Sequence, residues 1–177
     1  MNKNLRIYVA AALMAALSCV ATMAIKFPSP TGYIHPGDAF VLLSGVILGP
    51  IYGPLAAGIG SMTADLLAGY PQFAFATLFI KALAALVAAL IYRKGKISTI
   101  ILSGVIGELL VTSGYFIFEN FLYGFGPAVK SIPLNLVQNA LGITLATLLF
   151  PILRGVPQIR ELMDHRYKGL VHRSRNR

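Results

Sequence analysis

The sequence predicts an all-α polytopic membrane protein with six transmembrane helices and with both termini on the cytoplasmic side. Of its 177 residues, 56% are hydrophobic and 12% are charged, which is more apolar surface than a soluble domain of this size can bury. The mean hydropathy is +0.73. The basic residues lie between and after the long apolar runs, so the net charge of +9 indicates membrane topology rather than binding to nucleic acid.

The first helix is predicted from about Asn4 to Ile25. Two basic residues before an apolar stretch are also typical of a signal peptide, and the residues before Cys19 are similar to a lipoprotein cleavage site. However, residues 7–25 form a run of 19 residues without a charge. Such a run is long enough to cross a hydrocarbon core of about 30 Å, so we expect the helix to be retained.

A loop rich in turn residues follows at residues 26–36. The next apolar stretch is interrupted by Gly-Pro pairs at residues 49–50 and 53–54. Because proline suits the first turn of a helix, we predict two short helices, over residues 38–49 and 51–69. The former would be only about 18 Å long, so we expect it to be tilted, partly buried or continuous with the loop.

Three longer helices complete the predicted bundle, over residues 72–92, 97–123 and 128–153. The chain therefore divides into a transmembrane domain, residues 1–153, and a basic cytoplasmic tail, residues 154–177. The charge of the tail is consistent with contact to anionic lipid or with simple solvation.

The orientation follows from the distribution of the 15 lysines and arginines, because cytoplasmic loops carry the excess of these residues. One side holds Lys3, Arg6, Arg93, Lys94, Lys96, Arg154, Arg160, Arg166, Lys168, Arg173, Arg175 and Arg177. The other side holds Lys26 and Lys130, and Lys81 lies within a helix. Both termini are therefore predicted to be cytoplasmic.

Polar side chains within the predicted helices concentrate in the outer half of the membrane. A charged group in a bilayer costs several kcal/mol unless it is paired or faces a cavity. Lys81 lies about 13 Å from the outer end of its helix. Residues 108, 112, 115 and 119 are spaced so that they share one helix face. These groups predict a solute cavity that opens to the outside, although interhelical hydrogen bonds alone would give a similar pattern.

Aromatic residues are also more frequent in the outer half, where they could stack on a planar heteroaromatic solute. The loop with Tyr33 and His35 is placed to form a lid over the cavity. The candidate binding residues are Tyr33, His35, Lys81, Tyr115, Glu119, Asn135, Gln138 and Asn139. Lys81 and a carboxylate are alternatively a structural ion pair.

No catalytic or metal-binding constellation is apparent, and we predict no cofactor. Cys19 is the single cysteine, and the carboxylates and histidines are not arranged as an activated nucleophile or a metal cluster. A membrane-embedded enzyme is therefore disfavoured. Small residues four apart in the first helix, Ala11 with Ala15 and Ala12 with Ala16, would allow close approach of another helix, within the bundle or from a partner.

Several motifs resemble the S components of energy-coupling factor (ECF) vitamin transporters. They are residues 34–40 (IHPGDAF), 49–55 (GPIYGPL), 64–69 (ADLLAG) and 77–82 (TLFIKA). The likeness is strongest to the branch that contains riboflavin-type and hydroxymethylpyrimidine/pyridoxine-type members, and it extends to about residue 153.

This resemblance implies a binding subunit in the bacterial plasma membrane that docks onto a transmembrane coupling subunit (EcfT-type), which is shared with two ATPase subunits (EcfA-type). The docking pair of the family maps best to Ala12 and Ala16. The family's ligands bind beneath the first loop. The chain has no P-loop motif, so it is not expected to hydrolyse ATP itself. We predict pyridoxine or hydroxymethylpyrimidine as the ligand, with riboflavin as the alternative and a structural subunit without a solute as the alternative of another class.

Overall fold

A computed structural model describes residues 3–29, 32–93 and 96–164, and nearly all of them are helical. The long helices are α1 (Lys3–Ala24), α2 (Asp38–Ala68), α3 (Pro71–Ile91), α4 (Ile97–Tyr123) and α5 (Phe125–Gly155). Between α1 and α2, the two-residue strands β1 (Phe27–Pro28) and β2 (Tyr33–Ile34) form an antiparallel ribbon. A shorter helical segment covers residues 157–164. The all-α fold class is confirmed.

All five long helices have the length and the apolar composition needed to cross a membrane. Their outward faces carry large apolar side chains, such as Phe75 and Phe121, which are 74% and 84% exposed. Such a surface is unfavourable in water, whereas the hydrocarbon of a bilayer solvates it. The helices therefore have the surface of a membrane-embedded bundle.

The second helix reverses its direction at Gly49. This residue has φ 87° and ψ −172°, a conformation that a residue with a Cβ rarely adopts. In a straight helix, residues 45 and 53 would lie about 12 Å apart. Instead, a Cβ added to Gly53 would lie 2.7 Å from the Cα of Gly45. The first arm of α2 (residues 38–48) therefore folds back against the second arm (residues 50–68), and the reversal coincides with the predicted boundary between two helices.

The first arm of α2 lies inside the bundle. All residues from 41 to 49 are buried. A Cβ added to Gly45 would lie 2.0 Å from the backbone oxygen of Ala85 in α3, and one added to Gly142 of α5 would lie 2.9 Å from the Cβ of Asp38. The burial that was one of the expectations for this short helix is therefore observed, and it is more complete than expected.

The bundle has two ends, which we call the ribbon end and the opposite end. The ribbon end carries β1, β2 and the turns at Gly69 and Gly124, both of which have positive φ. At the opposite end, the rings of Tyr92 and Phe150 lie 5.5 Å apart, and Met163 packs into the same apolar cluster. Residues as far as 164 therefore contribute to the bundle, while the rest of the predicted tail lies outside the described residues.

The remaining helix boundaries differ little from the predicted ones. They shift by one residue for α1 and α3, and they agree for α4. The last helix begins at Phe125 and ends at Gly155 rather than covering residues 128–153. It starts directly after Gly124 because that glycine, with φ 82°, separates it from α4. Pro133 lies within α5 without ending it.

Candidate functional site

A cavity lies at the ribbon end, between the loop that carries β1 and β2 and helices α2 to α5. The space between its lining residues is about 420 Å³, which includes the open mouth and the solvent region in it. Its lining residues are Ser29, Gly32, Tyr33, His35, Asp65, Tyr70, Phe73, Thr77, Tyr115, Glu119, Asn135 and Gln138. The cavity therefore combines residues of the loop with residues of four helices.

Four aromatic rings form a continuous series along the cavity. The ring of Tyr33 lies 5.0 Å from that of Tyr70, which in turn lies 6.4 Å from that of Phe73. The rings of Phe73 and Tyr115 are also 6.4 Å apart. Aromatic pairs at such separations are favourable contacts. A planar solute would therefore meet ring faces and edges contributed by the loop, α3 and α4.

The loop is fastened to the end of α2 by the hydroxyl of Tyr33. This hydroxyl donates a hydrogen bond of 2.8 Å to Oδ1 of Asp65. Burial, together with the Asp65 carboxylate, raises the pKa of Tyr33 well above its usual range, so the phenol stays protonated and remains a donor. Tyr33 thus lines the cavity, and its partner is a residue that was not among the predicted site residues.

His35 is buried at the base of the loop as a neutral imidazole. Its Nδ1 accepts a hydrogen bond of 3.1 Å from the backbone N–H of Gly37, which places the ring hydrogen on Nε2. The backbone N–H of His35 donates to Oε1 of Gln138 at 3.0 Å. Burial lowers the pKa of His35 to about 4; attraction to Asp38 opposes this shift and repulsion from Lys81 adds to it. The histidine therefore joins the loop to α5.

Lys81 lies behind the cavity and is paired with Asp38. Its Nζ is 2.5 Å from Oδ1 of Asp38, and both side chains are fully buried. Nε2 of Gln138 donates to Oδ2 of the same carboxylate at 2.7 Å. Lys81 is not among the lining residues, and its Nζ lies 5.3 Å from the ring centroid of Tyr115, which is one of them. The ion pair considered as the alternative is present. This pair connects α2, α3 and α5 beneath the site.

Asn139 also lies outside the lining, in contrast to its neighbour Gln138. Its Nδ2 donates to the backbone oxygen of Glu108 at 2.9 Å and to Oγ1 of Thr112 at 2.8 Å. These bonds join α5 to α4. Glu108 is 1% exposed, and neither oxygen of its carboxyl group has a hydrogen-bond partner among the described residues.

The other predicted polar residues reach the cavity. Glu119 of α4 and both Asn135 and Gln138 of α5 are part of its lining. The hydroxyl of Ser131 donates to Oε2 of Glu119. Two buried polar atoms of lining residues, Nδ2 of Asn135 and Oδ2 of Asp65, have no hydrogen-bond partner within residues 3–29, 32–93 and 96–164.

The prediction missed several lining residues, chiefly Asp65, Tyr70, Phe73 and Thr77. One signal in the sequence could have identified two of them. Phe73, Thr77 and Lys81 are spaced four apart, so they share one face of α3. All three are buried, which shows that this face turns toward the interior. The proximity of Asp65 to the loop, in contrast, depends on the reversal of α2.

The small residues of α1 fall into two groups. Ala15 faces the second arm of α2, because a Cβ added to Gly60 would lie 2.3 Å from the backbone oxygen of Ala15. Ala11 and Ala15 also pack against the apolar core. Ala12 and Ala16 are exposed. The first pair therefore belongs to the bundle interior, and the second pair is on the outer face of α1.

Comparison with known proteins places these features in context. A family model described as "ECF-type riboflavin transporter, S component" matches residues 2–154. The chain is 36% identical over 128 residues to an uncharacterized protein in the gap 3′ region of Pyrococcus woesei, covering 70% of this chain and 85% of that protein. It is 27% identical over 158 residues to the thiamine precursor transporter HmpT of Lactococcus lactis subsp. cremoris (strain MG1363), covering 86% and 90%.

Solved structures share the fold. The S component of a bacterial ECF transporter superposes with a TM-score of 0.71 at 24% identity, covering 87% of this chain and 98% of that one. The S component for biotin from an ECF-type ABC transporter superposes with a TM-score of 0.61 at 18% identity, covering 94% and 95%. These similarities concern the arrangement of the helices.

Proposed function

The chain belongs to the family of ECF-type riboflavin transporter S components, and we propose that it captures a small vitamin or vitamin precursor from the outer side of the membrane. Members of this family are integral membrane proteins for vitamin uptake, and the family is not one of enzymes. The observation that carries the proposal is the cavity beneath the ribbon, which is lined by four aromatic rings and by carboxyl and amide groups. Such a lining suits a small planar solute with polar substituents.

Pyridoxine or hydroxymethylpyrimidine is the proposed ligand. The similarity to HmpT, a thiamine precursor transporter, supports the pyrimidine. Riboflavin is the second candidate, and the description of the matching family model supports it. Tyr33, His35, Tyr115, Glu119 and the polar residues of α5 are the proposed contacts. Lys81 and Asn139 would act by holding the helices behind these contacts.

The proposed partners are an EcfT-type transmembrane coupling subunit and two EcfA-type ATPase subunits. Exposure of Ala12 and Ala16 on the outer face of α1 supports this face as the docking surface. Large apolar side chains flank the pair, since Val9 and Leu13 are 51% and 56% exposed. In a monomer this face would contact lipid tails, and small residues within it would let a partner helix approach closely.

We also propose six crossing segments, with the two arms of α2 counted separately, and a cytoplasmic location for both termini. The reversal at Gly49 supports this count, because it returns the chain to the ribbon end. The described basic residues of the opposite end, Arg6, Arg93, Lys96, Arg154 and Arg160, support a cytoplasmic position for that end. In this scheme the membrane is the bacterial plasma membrane, residues 1–153 form the substrate-binding domain, and residues 154–177 form a basic tail, of which Ile159 and Met163 pack against the apolar cluster of the bundle.

The proposal is tested by identifying the small molecules that co-purify with the protein. The chain is purified in mild detergent, bound molecules are released and identified by mass spectrometry, and hydroxymethylpyrimidine, pyridoxine and riboflavin are then titrated by calorimetry. We expect one of these vitamins in stoichiometric amount. Phe73→Leu should weaken its binding about tenfold or more, because a ring in the cavity wall is lost.

Phe75→Leu is the matched control, because Phe75 is 74% exposed, whereas Phe73 is 6% exposed. It should leave binding unchanged. If no vitamin of the panel binds, even when the chain is assembled with a coupling module, a structural or assembly subunit becomes the better interpretation.

A further inference from the structure

The Asp65 carboxylate has one oxygen engaged by the loop and one oxygen without a partner. Oδ1 accepts the hydrogen bond from the Tyr33 hydroxyl. Oδ2 is buried and has no partner in the part of the chain that the structure describes. Asp65 itself is 6% exposed and lines the cavity. A buried acceptor without a donor is unfavourable, so an occupant that donates a hydrogen bond there would be favoured.

Two protein donors lie near this carboxyl group. The hydroxyl of Thr77 lies 2.9 Å from the phenol oxygen of Tyr115, and either group can be the donor of that bond, so Thr77 is also a donor for Asp65. The ammonium group of Lys81 lies 2.5 Å from Oδ1 of Asp38. Oδ2 of Asp65 nevertheless has no hydrogen-bond partner in the described part of the chain, so a molecule within the cavity would supply one.

The charge of the cavity lining also favours a solute that carries no negative charge. Among the described residues that line the cavity, two are acidic, Asp65 and Glu119, and none is a lysine or an arginine. A solute with a phosphate or carboxylate group would place a negative charge near these carboxyl groups. Lys81, whose Nζ lies 5.3 Å from the centroid of the Tyr115 ring, is already paired with Asp38. Lys26, whose Nζ lies 5.8 Å from the centroid of the Tyr33 ring, is exposed to solvent. Like charges at short range in a poorly solvated site repel strongly.

We propose that Asp65 selects the ligand by accepting a hydrogen bond from an N–H group on Oδ2, so that the cavity takes amino-substituted nitrogen heterocycles and rejects their phosphate esters. The proposal rests on the vitamin-binding function above and specifies its chemistry. The aromatic series from Tyr33 to Tyr115 binds the ring of the ligand, and Asp65 accepts a hydrogen bond from the amino group at the edge of that ring. The amide of Asn135, whose Nδ2 is likewise without a partner among the described residues, supplies a donor to a ring nitrogen or hydroxyl of the solute.

Matched ligands test this assignment on the unaltered protein. Hydroxymethylpyrimidine, which carries a ring amino group, is compared by calorimetry with the analogue in which a carbonyl oxygen replaces that amino group, and with its phosphate ester. The carbonyl analogue should bind at least about tenfold more weakly, because two acceptors would face each other at Asp65. The ester should bind at least about a hundredfold more weakly.

Asp65→Asn provides the second readout. The carboxamide can donate to a carbonyl oxygen, so the preference for the amino compound over the carbonyl analogue should disappear or reverse. Leu67→Ala, at a lipid-facing position two residues away that is 66% exposed, is the control and should keep the preference. The ligand comparison stands even where Asp65→Asn lowers the yield of folded protein.

The outcomes separate the two proposals. Equal binding of the amino compound and either analogue by the native protein would overturn the role of Asp65 and leave the vitamin-binding function standing. Binding of pyridoxine or riboflavin without binding of hydroxymethylpyrimidine would do the same, because neither carries a ring amino group. If Asp65→Asn still prefers the amino compound over the carbonyl analogue, the role of Asp65 is likewise overturned and the vitamin-binding function stands. If hydroxymethylpyrimidine, pyridoxine and riboflavin all fail to bind the native protein, the proposed function itself fails, and the selectivity with it.

Discussion

From the sequence it was possible to predict that Lys81 has a partner or faces a cavity, but not that its partner is Asp38. A lysine in the middle of an apolar helix must be paired or must face a cavity, and this much was predicted. Its partner was not, because Asp38 is 43 positions earlier, on an arm whose depth depends on the packing of three other helices. Asp65 was missed for the same reason, since its contact with Tyr33 is a tertiary one.

Replacing Lys81 by methionine should destabilise the protein by about 3–5 kcal/mol, because the buried carboxylate of Asp38 would lose its counter-ion. The double variant Lys81→Met/Asp38→Asn should recover most of this loss, since the amide carries no charge and can still accept from Gln138. Thermal unfolding in detergent measures both. A single variant as stable as the native protein, but unable to bind the vitamin, would instead make Lys81 a ligand contact.

The low pKa of His35 predicts a loss of stability in mild acid. The pKa is about 4 in the folded protein, against 6.5 for an ordinary histidine. Below pH 6.5 the unfolded chain therefore binds a proton that the folded chain does not. The contribution of His35 is complete above pH 6.5 and is lost as the pH falls toward 4, by about 2 kcal/mol at pH 5.

The check is the unfolding temperature between pH 5 and pH 7.5. The native protein should lose more stability on acidification than His35→Asn, whose side-chain oxygen can replace Nδ1 as the acceptor for Gly37. Parallel pH dependences of the two proteins would show that His35 does not titrate in this range.

Among the elements, α2 shows most clearly what a local break in the sequence reveals and what it does not. The Gly-Pro pair at residues 49–50 marked the break correctly, because glycine permits the positive φ and proline suits a first turn. The two arms were predicted as separate crossings, so a reversal between them was expected. The close contact between Gly45 and Gly53 could not be read from the sequence, because it depends on packing rather than on local propensity. α1, α3 and α4 were predicted within one residue, since each is a continuous apolar run with clear flanking signals.

The close approach of α2 and α3 should not tolerate a side chain at Gly45. In Gly45→Ala the new Cβ would lie 2.0 Å from the backbone oxygen of Ala85, so the helices must separate. We expect a loss of about 1–3 kcal/mol, measured by thermal unfolding. Gly126→Ala is the control, because nothing lies within 4 Å of the added Cβ, and alanine is the better helix former. A native-like Gly45→Ala would mean that α3 is not held tightly against this arm.

At the scale of the whole molecule, the number of crossings depends on how α2 traverses the membrane. With two crossings by α2, the loop with β1 is external, and the α3–α4 connection and the residues after α5 are internal. If α2 crosses the membrane only once, the α3–α4 connection and the residues after α5 would also be external. The sequence predicted the arrangement with two crossings by α2. Topology can be predicted from the length of each apolar segment and from the lysines and arginines that flank it, without knowledge of how the helices pack.

Single cysteines distinguish these arrangements. In a Cys19→Ala background, Phe27→Cys should react with a membrane-impermeant maleimide on intact cells. Lys96→Cys and Gln158→Cys should react only after the membrane is permeabilised. All three positions are exposed in the bundle. Labelling of Lys96→Cys on intact cells would contradict the double crossing of α2.

The enclosure of the first arm of α2 has a consequence for biogenesis. A segment needs about 20 apolar residues to partition into the bilayer alone, and this arm has roughly half that length. It emerges from the ribosome before α3 and α5 have been synthesised, although these helices cover it in the finished protein. The arm is therefore expected to insert together with the second arm as a helical hairpin and to reach its final depth when α3 and α5 arrive. The floor of the cavity, where Asp38 meets Lys81 and Gln138, would then be assembled last.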